Sequence, residues 1–151
     1  MAAKANPTFT CNYLNYKYVE DGKLRIVRLP MVNVILVHNG VALKTPGLVD
    51  SGSTDTFIPI ELANTLQLTE DGESKAVGAG GEFATSICDI DEIMIGRGNS
   101  TFLKLYHRLI LVPKKIDMIP YVIMGRDTIF KENDVTFFEN RKKIKFVALK
   151  K

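Results

Sequence analysis

The chain has 151 residues, 46% hydrophobic and 25% charged, which suits one folded domain with a real core and excludes a disordered polymer. Its apolar runs, such as Met31 to Val37, are too short for a membrane span, and the opening MAAKANPTFT lacks the apolar core of a secretory signal. The net charge of +3 is uneven: the last eleven residues, RKKIKFVALKK, carry six Lys or Arg and no acid, so the preceding 140 sum to −3. Cys11 and Cys88, two and far apart, make no disulfide framework and point to a reducing, cytoplasmic setting.

In chain order, short β-branched and aromatic runs alternate with Gly, Pro, Asn and Asp. Strands are expected over Asn12–Glu20, Lys23–Leu29, Val32–His38 and Val41–Val49. Asp21-Gly22 and Asn39-Gly40 supply hairpin turns between them. A short helix is expected in PIELANTLQL, with Pro59 in its first turn and Leu62 and Leu66 on one face. Strands follow over Glu73–Val77, Glu82–Ile95, Thr101–Val112 and Tyr121–Ile123. A second helix, opened by Gly125, is expected in GRDTIFKEN. Val135–Glu139 and Lys143–Leu149 complete the set. The fold class is mainly β, with a closed or partly closed barrel favoured.

Two segments rhyme. LVDSG, ending at Gly52, and VIMG, ending at Gly125, are each an apolar run into a loop and a glycine, with a short helical segment after it. Two such half-units would bring their loops together at one side of the core.

The first loop raises the chemical question. In GLVDSGSTDTFIP, Asp50 stands at the mouth of a core strand and is followed by Ser51, Gly52 and Ser53. A serine triad finds no G-x-S-x-G and no histidine tied to Ser51 or Ser53. A phosphate loop finds no GxxxxGK[ST]; GRGNS, Gly96–Ser100, reads as a hairpin turn. His38 and His107, the only histidines, have no metal-ligand spacing to Cys, Asp or Glu, so no metal and no cofactor are expected. What remains is carboxylate chemistry. Two carboxylates sharing one proton can divide the work, the ionised one taking a proton from water and the protonated one donating to a carbonyl. With one Asp-Ser-Gly per chain, the second carboxylate must come from a second copy across a two-fold axis.

Those residues carry a resemblance. LVDSGSTDTFIP resembles the catalytic loop of the retropepsin-like aspartic proteases, YVIMGRDTI resembles the apolar-apolar-Gly-Arg segment further along that family, and KAVGAGGEF between them is similar to its glycine-rich flap. Here Gly125 follows Asp50 by 75 residues. The resemblance covers residues 24–150 and implies a closed retropepsin-type β-barrel domain over 24–151, with residues 1–23 an N-terminal extension, strand or hairpin. It implies a homodimeric aspartic endopeptidase, acting on a peptide or protein, with Asp50 catalytic. Ser51 would lock the two loops across the axis, and Gly52 would offer its N–H to the carboxylate. Ser53 would donate its hydroxyl to Asp50, which predicts an acidic activity optimum. Gly78, Ala79, Gly80 and Gly81 would form the flap tip, and Gly125, Arg126 and Asp127 would start the helix behind the loop. The family's partner for the arginine would sit at Thr54, one place before Asp55. Val49, Ile58, Val77, Ala79 and Ile123 would wall the pockets. The terminal KIKFVAL would interleave with a second chain's termini, or the N-terminal extension would pair locally.

Two other readings remain open on the residues alone. One keeps the fold as a peptide-binding or dimerisation module with little or no catalysis. The other takes the basic tail as a nucleic-acid site, but few aromatics accompany it, and the alternation of Ile144, Phe146 and Ala148 with Lys143, Lys145 and Val147 reads as a strand edge.

Overall fold

The computed structural model describes residues 5–97 and 100–149. Eleven strands and two short helices follow in the order β1 (Thr8–Asn12), β2 (Leu14–Glu20), β3 (Lys23–Leu29), β4 (Met31–His38), β5 (Val41–Val49), α1 (Ile60–Thr65), β6 (Glu70–Gly78), β7 (Gly81–Arg97), β8 (Ser100–Pro113), β9 (Val122–Met124), α2 (Ile129–Glu132), β10 (Asn133–Phe138) and β11 (Lys143–Ala148). The two glycine turns form where the sequence puts them. Asp21-Gly22 (φ 50° and 71°) and Asn39-Gly40 (φ 48° and 76°) take the left-handed pair that a two-residue hairpin needs.

The main sheet runs β6-β7-β4-β5-β9, with β8 paired to β7. Its two long strands, β7 and β8, pair antiparallel from Thr85↔Pro113 to Arg97↔Ser100. The turn expected in GRGNS falls on Gly98 and Asn99, which lie outside the described residues. The rhyme between the two loops has a structural meaning: β5 and β9 are parallel neighbours, with Leu48 opposite Ile123 and Val49 opposite Met124.

No sheet closes by strand pairing among the described residues, so the expected closed barrel is not confirmed. The gap between β9 and β8 is spanned instead by the irregular segment Thr56–Ile58. Phe57 exchanges backbone bonds with Ile123 at 2.8 and 3.0 Å, Ile58 N–H donates to Leu111 O at 3.0 Å, and Leu111 N–H donates to Thr56 O at 2.9 Å. Thr56 and Ile58 are fully buried here. A buried loop with paired backbone groups meets the same requirement a strand would.

A second sheet, β1-β11-β10, packs on this body. Ile144 and Phe146 of β11 are fully buried, each contributing about 1.5–3 kcal/mol of apolar burial. Phe9 of β1 stacks at 6.0 Å from Phe146. The single strand expected over Asn12–Glu20 is broken at Tyr13. Its side chain turns into the core and donates to Glu139 Oε2 at 3.1 Å, while its N–H donates to Lys142 O. Strand β11 lies between β1 and β10 and is bonded on both edges. The KIKFVAL strand therefore has no free edge for interleaving with a second chain, and β1 pairs locally instead.

The second helix is shorter than expected. Gly125, Arg126 and Asp127 form a turn ahead of α2, which spans only Ile129–Glu132. Arg126 N–H donates to Ser53 O at 2.9 Å and Asp127 N–H to Thr54 O at 3.2 Å, so the turn ahead of the helix is tied to the neighbouring loop.

Candidate active site

Asp50 emerges from β5, an interior strand of the main sheet, and is fixed from both sides. Val49 N–H donates to Pro30 O at 2.9 Å, and Asp50 N–H donates to Met124 O at 3.0 Å. The chain then turns tightly: Ser53 N–H donates back to Asp50 O, and Gly52 N–H donates to Asp50 Oδ1 at 2.8 Å. That backbone bond is the one the resemblance implied for Gly52. Asp50 is half-buried, whereas Ser51 and Gly52 face solvent.

Below the loop lies a polar lock built from two threonines. Thr56 Oγ1 donates to Asp127 Oδ1 at 2.8 Å, accepts Gly125 N–H at 3.2 Å, and sits 2.7 Å from Thr128 Oγ1. Thr56 and Thr128 are both buried. Gly125 is pressed so close to the other loop that a Cβ there would lie 2.2 Å from Asp55 O and 2.8 Å from Ser53 O, both immovable backbone atoms. Only glycine fits. Burial pushes the Asp127 carboxyl above its ordinary pKa, and the Thr56 hydrogen bonds oppose that only in part.

In front of Asp50 opens a cleft of about 530 Å³. Gly78 to Gly81 cross it on the tip of the β6–β7 hairpin, where Gly78 pairs with Gly81 and Gly81 has φ 104°. Lys75 and Glu82 pair at 2.9 Å across that hairpin, and Lys114 of the following loop bonds Glu73 at its base. Phe57 and Phe83 stand 6.1 Å apart in the lining, with Val77, Met118, Ile119 and Ile123. The Met118 loop is tied to α1 by Asp117 N–H donating to Glu61 Oε1 at 3.0 Å.

Several sequence-derived assignments change. Of the five expected wall residues, Val77, Ala79 and Ile123 line the cleft, while Val49 and Ile58 are buried in the core behind it. Ser53 Oγ donates to Asp55 O at 2.7 Å rather than to Asp50, so the acidic optimum argued from that hydroxyl loses its basis. Arg126 is exposed and makes no ion pair among the described residues; the Asp55 carboxylate instead accepts the Thr54 hydroxyl at 2.8 Å. The two histidines sit away from the cleft in cross-strand pairs, His38 with Asp91 at 3.1 Å and His107 with Asp89 at 3.8 Å. Among the described residues no three His, Cys, Asp or Glu side chains converge to hold a metal ion.

Sequence reasoning passed over Thr56, Thr128, Phe57, Phe83, Met118 and Ile119. The one signal available was TFIP, in which a threonine runs straight into an apolar triplet and so has to be buried with it.

The family model described as aspartyl protease matches residues 32–127, nearly two thirds of the chain, including Asp50 and the β6–β7 hairpin. The chain belongs to the aspartyl protease family. Among solved structures, this family member's fold is similar to that of a retropepsin-like aspartic protease from Rickettsia conorii. The TM-score is 0.59 at 14% identity, over 92% of this chain and 98% of that one. EIAV protease complexed with the inhibitor HBY-793 is also similar, with a TM-score of 0.45 and 18% identity over 69% of this chain and 88% of that one. No curated protein matches by sequence. The fold is thus mainly β and retropepsin-like.

Proposed function

We propose that this aspartyl protease family member is a homodimeric endopeptidase in which Asp50 of two copies share one proton and activate the water that attacks a peptide carbonyl. The observation that carries the reading is the placement of Asp50. It sits at the base of an apolar cleft, its Oδ1 held by the Gly52 N–H, under a glycine-tipped hairpin.

The chemistry follows from charge. Two carboxylates that meet across an axis cannot both ionise, so the pair titrates as a unit with two apparent pKa values. The ionised member removes a proton from water as it attacks. The protonated member donates to the carbonyl oxygen, giving a tetrahedral diol, and the transfers reverse as the C–N bond breaks and the amine leaves protonated. No metal takes part in these steps. Backbone N–H groups such as that of Gly52 need no reorganisation as charge moves between the two carboxyls.

The peptide lies extended under the β6–β7 tip, pairing with its backbone and placing apolar side chains against Phe57, Phe83 and Ile123. Gly78–Gly81 act as the flap: the Gly81 conformation and the open space around Gly80 leave the tip free to close and exclude water. Ser51 is exposed, and in this reading it meets its mate across the axis.

The test is cleavage of a mixed peptide library across acidic to neutral pH, with and without a statine-type mimic of the tetrahedral intermediate. Cleavage blocked by the mimic and abolished by Asp50→Asn, with the fold intact, is the expected result. Cleavage that survives Asp50→Asn removes the aspartic mechanism. A folded dimer that binds peptides without cutting them favours the peptide-binding module.

A further inference from the structure

The hairpin of β2 and β3 is a surface that the cleft chemistry leaves unexplained. It pairs with no other strand among the described residues, and a lone two-stranded hairpin is marginal in water. Of the twelve large hydrophobic side chains exposed among the described residues, five lie in it: Tyr18, Val19, Leu24, Ile26 and Val27. Its two faces differ. On one, Leu14, Tyr16 and Leu29 are half-buried, and Tyr16 meets the Tyr121 ring edge-on at 5.3 Å. On the other, Val19, Leu24 and Ile26 are 70%, 63% and 58% exposed, with Val19 directly opposite Leu24 and Ile26 opposite Lys17.

The Tyr16–Tyr121 contact places this hairpin beside the start of β9, the strand that pairs with β5 and whose Met124 O accepts the Asp50 N–H at 3.0 Å. Burial first, then Tyr16 and the negative charge of Asp50, push the Tyr121 hydroxyl above its ordinary pKa. A pair of Asp50 residues across an axis needs an interface next to residue 50. The exposed part of the loop there, Ser51 and Gly52, is far smaller than the roughly 800 Å² per partner that a stable interface takes. Strand β11, bonded on both edges, offers no edge for the deficit.

We propose that the Val19–Leu24–Ile26 face of the β2–β3 hairpin is where a second copy of this chain docks, each hairpin lying across the other protomer beside the paired loops. The inference rests on the shared-aspartate reading, and it names the surface that makes the pair. The interface is isologous, so each chain contributes the same face, and the hairpin gains the partner that a two-stranded ribbon lacks.

The experiment compares wild type with the triple variant Val19→Thr, Leu24→Thr, Ile26→Thr, which puts strand-favouring β-branched residues at all three exposed positions and should preserve the fold by circular dichroism. Leu109→Thr, 63% exposed on β8, is the control. Sedimentation should show the dimer dissociation constant of the triple variant raised on the order of a hundredfold, with the control unchanged. Peptide cleavage should fall in parallel and recover at high protein concentration. A triple variant that dimerises and cleaves as wild type does overturns the proposal, as does a wild-type chain that stays monomeric at every concentration. A triple variant that stays dimeric but shows a raised KM assigns the face to the peptide substrate and also overturns it. A hairpin-dependent dimer that cuts nothing sustains the docking face while removing the protease reading. Loss of cleavage in Asp50→Asn with the dimer intact, beside an unaffected triple variant, does the reverse.

Discussion

The floor and the arms of the cleft are built in opposite ways. The floor, residues 50–58 against 122–128, is a loop pair whose backbone groups bond one another over the buried hydroxyls of Thr56 and Thr128. The arms, by which we mean the Gly78–Gly81 tip over the cleft and the β2–β3 hairpin outside its lining, are exposed ribbons with large apolar side chains in water, among them Val77 at 81%. The difference is one of timing. The floor is complete within one chain before anything binds, whereas under the proposed reading the arms make further contacts with peptide and partner. Floor substitutions should therefore register first in stability, and arm substitutions first in activity or assembly.

The sharpest strike at the floor is Gly125→Ala. A methyl group 2.2 Å from Asp55 O forces backbone apart, with an expected loss of about 3 kcal/mol in urea unfolding and of activity with it. Next is Thr56→Val, nearly the same shape without the hydroxyl. It leaves the Asp127 carboxylate and the Gly125 N–H each short of a buried partner, for about 2 kcal/mol. If either variant loses activity while unfolding as wild type does, the floor is not the stability element described.

Gly81→Ala tests an arm. Nothing lies within 4 Å of the added methyl, so its cost is the strain of φ 104°, about 1 kcal/mol and local to the tip. Steady-state kinetics on a peptide substrate should show kcat/KM reduced several-fold while Tm barely moves. A large Tm loss with unchanged kinetics would place the tip with the floor.

The smallest effect is a gain. Burial raises the Asp127 pKa, so the folded chain holds that proton more tightly than the unfolded chain does. This favours folding at low pH and is lost as pH rises from the ordinary aspartate value through the raised folded one. Asp127→Asn keeps an oxygen to accept the Thr56 hydroxyl and does not titrate. It should raise Tm by a few degrees at neutral pH, with the gain fading below the ordinary aspartate range. A gain independent of pH would show that the charge is not the cause.

Much of this was legible in the sequence because local chemistry decides it. Asp21-Gly22 and Asn39-Gly40 dictate their turns whatever surrounds them. The LVDSG and VIMG runs, apolar on both faces, mark strands buried side by side. The misses share another origin. Tyr13 breaks its strand because the core accepts its ring and Glu139 its hydroxyl, neither visible nearby in sequence. The turn ahead of the GRDTIFKEN helix is held by carbonyls some 70 residues away. Ser53 finds its acceptor in the Asp55 carbonyl two residues on rather than in the Asp50 carboxylate three residues back. Strand β11 has the alternation of an edge and the position of a centre, because β1 and β10 are both at hand to cover it.

The most direct measurement concerns stoichiometry. Wild type and Asp50→Asn should be mixed in varied ratio at fixed total concentration, allowed to exchange, and assayed for peptide cleavage. If each active unit takes one Asp50 from each of two copies, activity falls as the square of the wild-type fraction, because mixed dimers are inert. Activity that falls in direct proportion to that fraction would mean one chain suffices, and would contradict the shared site.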